Sequence, residues 1–233
     1  MLTLLFSIKF LSLIVIFLSL FTGYPSSAQD LKVTNKRTYY QELVNQDSLQ
    51  KMIELKSLMP GIVYEIHYAT KANFTGKRLY KKGNQTFLRL PAAQALVKVQ
   101  KELSIAGYEL KIWDAYRPYS ITRKMWDMIG DERYVANPSK GSGHNRGLAV
   151  DLTLLKDGKE INMGTSYDNF SDTAHHSFTM LSNEVLRNRQ LLKTTMEKYG
   201  FKALETEWWH YSYANDRKYD VLDLTFKELA RKR

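Results

Sequence analysis

Four side chains in two short stretches carry the chemistry open to this sequence. The first stretch is Ser142-Gly143-His144-Asn145-Arg146-Gly147-Leu148-Ala149-Val150-Asp151, and the second is Glu207-Trp208-Trp209-His210. Together they offer two imidazoles, one carboxylate ligand and one spare carboxylate. A hydrolytic zinc ion takes about three protein ligands of this kind and keeps a water in the fourth place. A carboxylate beside that water can serve as its base. The pattern therefore points to metal-assisted hydrolysis.

Each residue has a plainer reading when taken alone. His144 lies between Gly143 and the Arg146-Gly147 pair, just before an alternating segment, and by itself is an ordinary loop histidine. On a strand, Ala149, Asp151 and Thr153 face one way and Leu148, Val150 and Leu152 the other. Asp151, flanked by Val150 and Leu152, is costly to bury unless it is paired or bound to a metal. Glu207 and His210 stand three apart, which puts them on one face of a helix. On a regular strand the same spacing puts them on opposite faces, so a bulge or strong twist is needed to bring both to one ion. The tryptophans between them supply a dry wall that raises the pKa of a nearby glutamate. Arg117 follows Trp113-Asp114-Ala115-Tyr116 and precedes Pro118. It is either a fixed cation aimed at a developing oxyanion or a surface arginine paired with Asp114.

The elements that must position these residues can be read from periodicity. Leu49 to Leu58 has helical spacing and is stopped by Pro60-Gly61. Ile62 to Tyr68 alternates like a strand. Pro91 opens a helix to about Ile105, closed by Gly107. Tyr108 to Tyr116 reads as a strand and Ser120 to Met128 as a helix. Gly147 to Leu155 alternates again. Asn183 to Tyr199 is a helix with Ser182 or Asn183 at its cap and Gly200 beyond its end. Trp208 to Tyr213 is a final strand. Without a regular βαβ rhythm, this mixture predicts a single α+β domain around a largely antiparallel sheet. No Gly-rich phosphate loop follows a strand, which argues against nucleotide cofactors.

The N-terminus differs from the rest. Phe10 to Phe21 is apolar and uncharged apart from its two serines, and Pro25-Ser26-Ser27-Ala28 follows. This is the layout of a secretory signal peptide over residues 1–28, with the exported protein expected in the bacterial periplasm. The alternative is an uncleaved membrane anchor; the run is shorter than the roughly 20 residues a spanning helix needs, which favours cleavage, with no stable membrane insertion expected afterwards. Residues 29–46 read as a polar arm and 47–233 as the functional domain. Removing residues 1–28 deletes Lys9 and no acid, so the net charge falls from +10 to +9. That charge suits weak association with anionic envelope polymers. The basic residues are dispersed and no nucleic-acid module is present, which argues against nucleic acid. The chain has no cysteine, so any metal site must use His and carboxylate ligands.

The combined pattern Ser142-x-His144-x-x-Gly147-x-Ala149-x-Asp151 with Glu207-x-x-His210 resembles the zinc D-alanyl-D-alanine dipeptidases. They sit in a wider group that also contains D,D-carboxypeptidases. Tyr68-Ala69-Thr70, Asn73-Phe74-Thr75-Gly76-Lys77, Trp113-Asp114-x-Tyr116-Arg117-Pro118 and Met163-Gly164-Thr165-x-x-Asp168 resemble the dipeptidase branch in the same order. The resemblance spans roughly Leu49 to Tyr213. It implies one Zn2+ held by His144, Asp151 and His210, with Glu207 as base and then acid and Arg117 stabilising the transition state. It also implies that Ser142 and Asp168 hold the substrate, Asp168 through the free ammonium group, with Tyr68 at the edge of a small pocket. The implied substrate is a small D,D-dipeptide. The rivals are a D,D-carboxypeptidase acting on peptidoglycan stem peptides and a zinc-stabilised binding module without turnover. His175-His176, Arg187 and Arg189 read as structural or surface residues.

Overall fold

Two alternating apolar segments that pair with each other build the centre of this protein. The computed structural model describes residues 31–231; the expected signal segment lies outside them. In chain order the elements are β1 (Val33–Thr34), α1 (Arg37–Gln46), β2 (Met52–Glu54), β3 (Val63–Tyr64), β4 (Phe87–Arg89), α2 (Leu90–Ile105), β5 (Tyr108–Asp114) and α3 (Tyr119–Ile129). They continue with α4 (Gly143–Arg146), β6 (Ala149–Lys156), β7 (Lys159–Glu160), α5 (Asn183–Lys198), β8 (Phe201–Leu204), β9 (Glu207–Tyr213), β10 (Val221–Leu222) and α6 (Phe226–Ala230). The central sheet runs β3-β5-β6-β9-β8, with β7 added to β6. Only β3–β5 is parallel; the other pairings within this sheet are antiparallel. The expected α+β fold with a largely antiparallel sheet is what is found.

The helices cover this sheet for legible reasons. In α2 the buried residues Ala92, Ala93, Leu96, Val99 and Leu103 form one helical face, and Pro91 enters where the missing N–H costs nothing. The helix α5 is capped by the Ser182 hydroxyl, which accepts from Val185 N at 3.3 Å. β6 is buried along almost its whole length, so both of its faces are covered and Asp151 lies in the interior.

Three expectations differ. The segment 49–58 is not a helix. Met52–Glu54 is instead a strand paired antiparallel with Phe87–Arg89, flanked by 3-10 turns at Ser48–Gln50 and Leu55–Ser57. Its apolar spacing fits either state, and a distant partner strand decides it. The expected strand at 62–68 keeps only Val63–Tyr64 before a 3-10 turn at His67–Ala69. That turn carries Tyr68 into the interior. Residues 37–46, read as a polar arm, form α1, which buries Tyr40. The arm is tied down further by β1, which pairs parallel with β10. Among the described residues, no helix is long and apolar enough to cross a membrane.

Candidate metal centre and cleft

His144 sits in the single turn α4, and local chemistry fixes that turn. The Ser142 hydroxyl accepts from Asn145 N at 3.1 Å, while Asn145 Oδ1 accepts from Ser142 N at 3.0 Å. This reciprocal cap satisfies two donors at the start of the turn. Gly147 ends it at φ +70, and a Cβ there would lie 2.7 Å from Met52 Sδ. The position therefore needs glycine both for its backbone and for the close approach. Asn145 Nδ2 donates to Arg117 O and to Thr122 Oγ1, each at 2.8 Å. It locks the His144 turn to the segment bearing Arg117, a task the sequence reading missed.

β6 and β9 bring the remaining ligands together. Asp151 is directly opposite His210 in the β6–β9 ladder. The required bulge is present on the other side of β9. Ala203 pairs with Tyr211 but Leu204 pairs with Glu207, so Trp208, Trp209 and His210 bulge from the β8 ladder. The bulge reverses ordinary alternation and puts Glu207 and His210 at one site, with Glu207 Oε2 4.0 Å from His210 Nδ1. A second register shift lies between Ile112 and Asp114, and sets Asp114 opposite Asp151.

His144 Nε2 lies 3.2 Å from His210 Nδ1 and 3.4 Å from Asp151 Oδ2, and His210 Nδ1 lies 2.9 Å from Asp151 Oδ1. Metal bonds of about 2.0–2.1 Å in a tetrahedron set ligand atoms about 3.3 Å apart. Contacts fit the two rings for this task. His144 Nδ1 donates to Ala115 O at 2.7 Å, leaving Nε2 with its lone pair toward the group. His210 Nε2 contacts Ser212 Oγ at 3.2 Å, leaving Nδ1 toward the group. Spacing, tautomer and burial all fit a divalent cation, and these three residues form the candidate metal site.

The electrostatics of the site follow from its dryness. Burial raises the Glu207 carboxyl to about 7, and the Asp151 charge pushes the same way. Burial alone would raise Asp151, but His144 and His210 hold it well below the usual carboxylate range. Burial opposes charge on His210, yet its hydrogen bond to Asp151 leaves its pKa raised. Arg117 is buried. Its Nε donates to Asp114 Oδ2 at 2.9 Å, one of its terminal nitrogens is 3.8 Å from Asp151 Oδ2, and its guanidinium lies 5.0 Å from the Tyr68 ring centre. The pair with Asp114 is present, and it holds the Arg117 cation at the cleft rather than at the surface.

These residues open onto a cleft of about 330 Å³ that also contains Ser142, Asp168, Phe74, Tyr134, Phe170 and Trp209. This is at the small end of the ~300–1,000 Å³ spanned by ligand pockets. Asp168 comes from the loop between β7 and α5 and adopts a left-handed backbone at φ +56, a conformation that aspartate tolerates better than most residues. Burial, then the Asp151 charge, pushes its carboxyl well above the usual value. Tyr68 OH donates to its two oxygens at 3.1 and 3.3 Å. The buried Arg189 anchors this loop by donating to Met163 O at 2.8 Å, Thr173 O at 2.9 Å and His175 O at 3.2 Å. Trp208 Nε1 adds a bond to Thr165 Oγ1 at 2.8 Å. All eight site candidates of the sequence therefore line one cleft. Arg187 is exposed.

The Peptidase_M15 family, described as D-ala-D-ala dipeptidase, matches residues 48–230. A D-alanyl-D-alanine dipeptidase of Escherichia coli (strain K12) is 32% identical over 173 residues, covering 74% of this chain and 89% of that protein. One from Enterococcus faecalis (strain ATCC 700802 / V583) is 32% identical over 184 residues, covering 70% and 91%. One from Enterococcus faecium is 34% identical over 179 residues, covering 67% and 88%. Sequence similarity over most of the domain thus accompanies the His-Asp-His geometry, and the chain belongs to the Peptidase_M15 family of D-Ala-D-Ala dipeptidases.

Proposed function

We propose that this protein hydrolyses D-alanyl-D-alanine, or a close D,D-dipeptide, to free D-amino acids in a zinc-dependent reaction. One observation carries the reading: three metal-ligating atoms converge beside a spare half-buried carboxylate, in a small cleft that also holds an acidic group suited to an amine. Zn2+ held by His144, Asp151 and His210 would supply Lewis-acid polarisation and a water of lowered pKa. Glu207, poised by burial near neutrality, takes the proton of the attacking water and returns it to the leaving amine. Arg117, held by Asp114, faces the cleft and stabilises the negative charge that develops on the amide oxygen. Asp168 and Tyr68 receive the free ammonium group, whose charge draws the Asp168 proton off. Ser142 lies at the cleft edge, where it both caps the His144 turn and borders the substrate.

Hydrolysis of a panel of free D,D-, free L,D- and N-acetylated D,D-dipeptides by zinc-reconstituted protein tests this reading. Free D-Ala-D-Ala is expected to be cleaved far faster than its N-acetylated form. A preference for the acetylated peptide would favour a D,D-carboxypeptidase instead. We also propose export to the bacterial periplasm with cleavage after Ala28, supported by the charge and apolar pattern of residues 1–28. N-terminal sequencing of the mature protein tests it.

A further inference from the structure

One buried hydroxyl behind the cleft, against two of its lining residues, has no part in the reaction just described. Tyr167 is 8% exposed. Its ring is wedged against His67 and Trp113, with centroids 5.0 Å away in each case, and against Trp209 at 5.7 Å. Its hydroxyl lies 2.8 Å from Asp151 Oδ2 and 3.2 Å from the Tyr68 hydroxyl. The Tyr68 hydroxyl in turn reaches both oxygens of Asp168. Each tyrosine has a single proton, and an ionised carboxylate only accepts. When Asp168 is ionised it takes the Tyr68 proton and the Tyr68 oxygen is left as an acceptor; when Asp168 is protonated that demand is lifted. Tyr167 gives its proton to Asp151, the nearer and charged partner. A continuous series of polar contacts thus joins Asp168 to a metal-ligating carboxylate, with Asp151 Oδ2 and the Tyr68 oxygen as the two acceptors that compete for the single Tyr167 proton.

We propose that Tyr167 is a positioning residue: it fixes the orientation of the Asp151 carboxylate and ties that orientation to the state of the Asp168 pocket. The proposal rests on the reading of His144, Asp151 and His210 as the metal site and of Asp168 as the amine site. A hydrogen bond to one carboxylate oxygen stops the group from turning, and such outer contacts typically change metal affinity or activity by about 10–100-fold. The line also passes information in both directions. Whatever changes the demand of Asp168 for the Tyr68 proton changes how strongly the Tyr68 oxygen competes with Asp151 for the Tyr167 proton.

The test reads Zn2+ affinity without substrate, by competition with a chelating dye. Tyr167→Phe keeps the ring and its packing and removes only the hydroxyl. It is expected to weaken Zn2+ binding about 10-fold. A tyrosine with only a packing role would leave the affinity of the folded protein unchanged, and affinity within twofold of wild type would overturn the proposal. Asp168→Asn, made alone and with Tyr167→Phe, tests the link to the amine pocket. Direct attraction between Asp168 and the ion is the same in both backgrounds, whereas an effect relayed through the tyrosines vanishes when Tyr167 is replaced. The two substitutions are therefore expected to be non-additive by about twofold or more; additive effects would overturn the relay. Should Tyr167→Phe not fold, Tyr68→Phe interrupts the same line one step earlier. It is expected to weaken Zn2+ binding by a smaller factor, and no change would count against the proposal. A wild type that binds Zn2+ but does not cleave D-Ala-D-Ala would refute the proposed function without altering these affinities.

Discussion

The two sides of the cleft are built in different ways. The metal side is carried by central strands and one capped turn: Asp151 on β6, Glu207 and His210 on β9, and His144 on α4, which leads into β6. The proposed substrate side is carried by connecting segments: Tyr68 on a 3-10 turn, and Tyr167 and Asp168 on the loop between β7 and α5. Strand ladders hold ligand atoms to within a few tenths of an ångström, which a metal demands. Loops bring recognition groups from several parts of the chain and can vary without disturbing the sheet. On the proposed function, the division places the chemistry on the sheet and the selectivity on the loops. The two sides are joined by few groups, Arg117 and the tyrosine pair foremost among them.

The largest effect is expected on the metal side. His144→Ala removes one of three ligands and should leave the purified protein without stoichiometric zinc and without detectable turnover; metal analysis beside the dipeptidase assay checks both. At the junction, Arg117→Lys keeps a charge opposite Asp114 but loses the planar fork. It should lower kcat about 100-fold with little change in KM, whereas a change confined to KM would assign Arg117 to substrate binding alone. On the substrate side, Asp168→Asn should raise KM for free D-Ala-D-Ala about 30-fold, toward the low end of what a desolvated charge pair costs. The N-acetylated peptide should be unaffected, which sharpens the contrast between the two sides.

The smallest effect concerns pH. Burial raises Glu207 from 4.5 to about 7, so the metal-free folded protein favours the protonated form. The stabilisation tied to that proton is complete below the unfolded pKa and is lost as pH rises through the folded one. The Tm of metal-free wild type should therefore fall relative to metal-free Glu207→Gln as pH rises from about 5 to about 8. Parallel Tm curves for the two proteins would contradict the assigned burial effect.

The metal side was the more legible in sequence for a physical reason. Its residues lie on elements with a strong period, and β5, β6 and β9 fall close to their expected bounds. The spacing of Glu207 and His210 left a helix, a bulged strand and a strongly twisted strand open, and the β8–β9 register shift shows the bulge. What the sequence did not expose was pairing between distant segments. β2 was mistaken for a helix because its partner β4 lies more than thirty residues away. Asn145 and Tyr167 were missed because each acts through a contact far along the chain: Asn145 with Arg117, and Tyr167 with Asp151. Asp114 was legible only as a partner for Arg117. Its burial, and its bond from Tyr80 OH at 2.9 Å, emerge only once the sheet is assembled.

Glu207 is proposed as a proton carrier rather than a metal ligand. Glu207→Gln should be purified, loaded with one zinc per chain, and assayed on free D-Ala-D-Ala beside equally loaded wild type. It is expected to bind zinc about as well as wild type and to lose about 10²–10⁴-fold in kcat. A fully zinc-loaded Glu207→Gln protein that turns over at nearly the wild-type rate would contradict it.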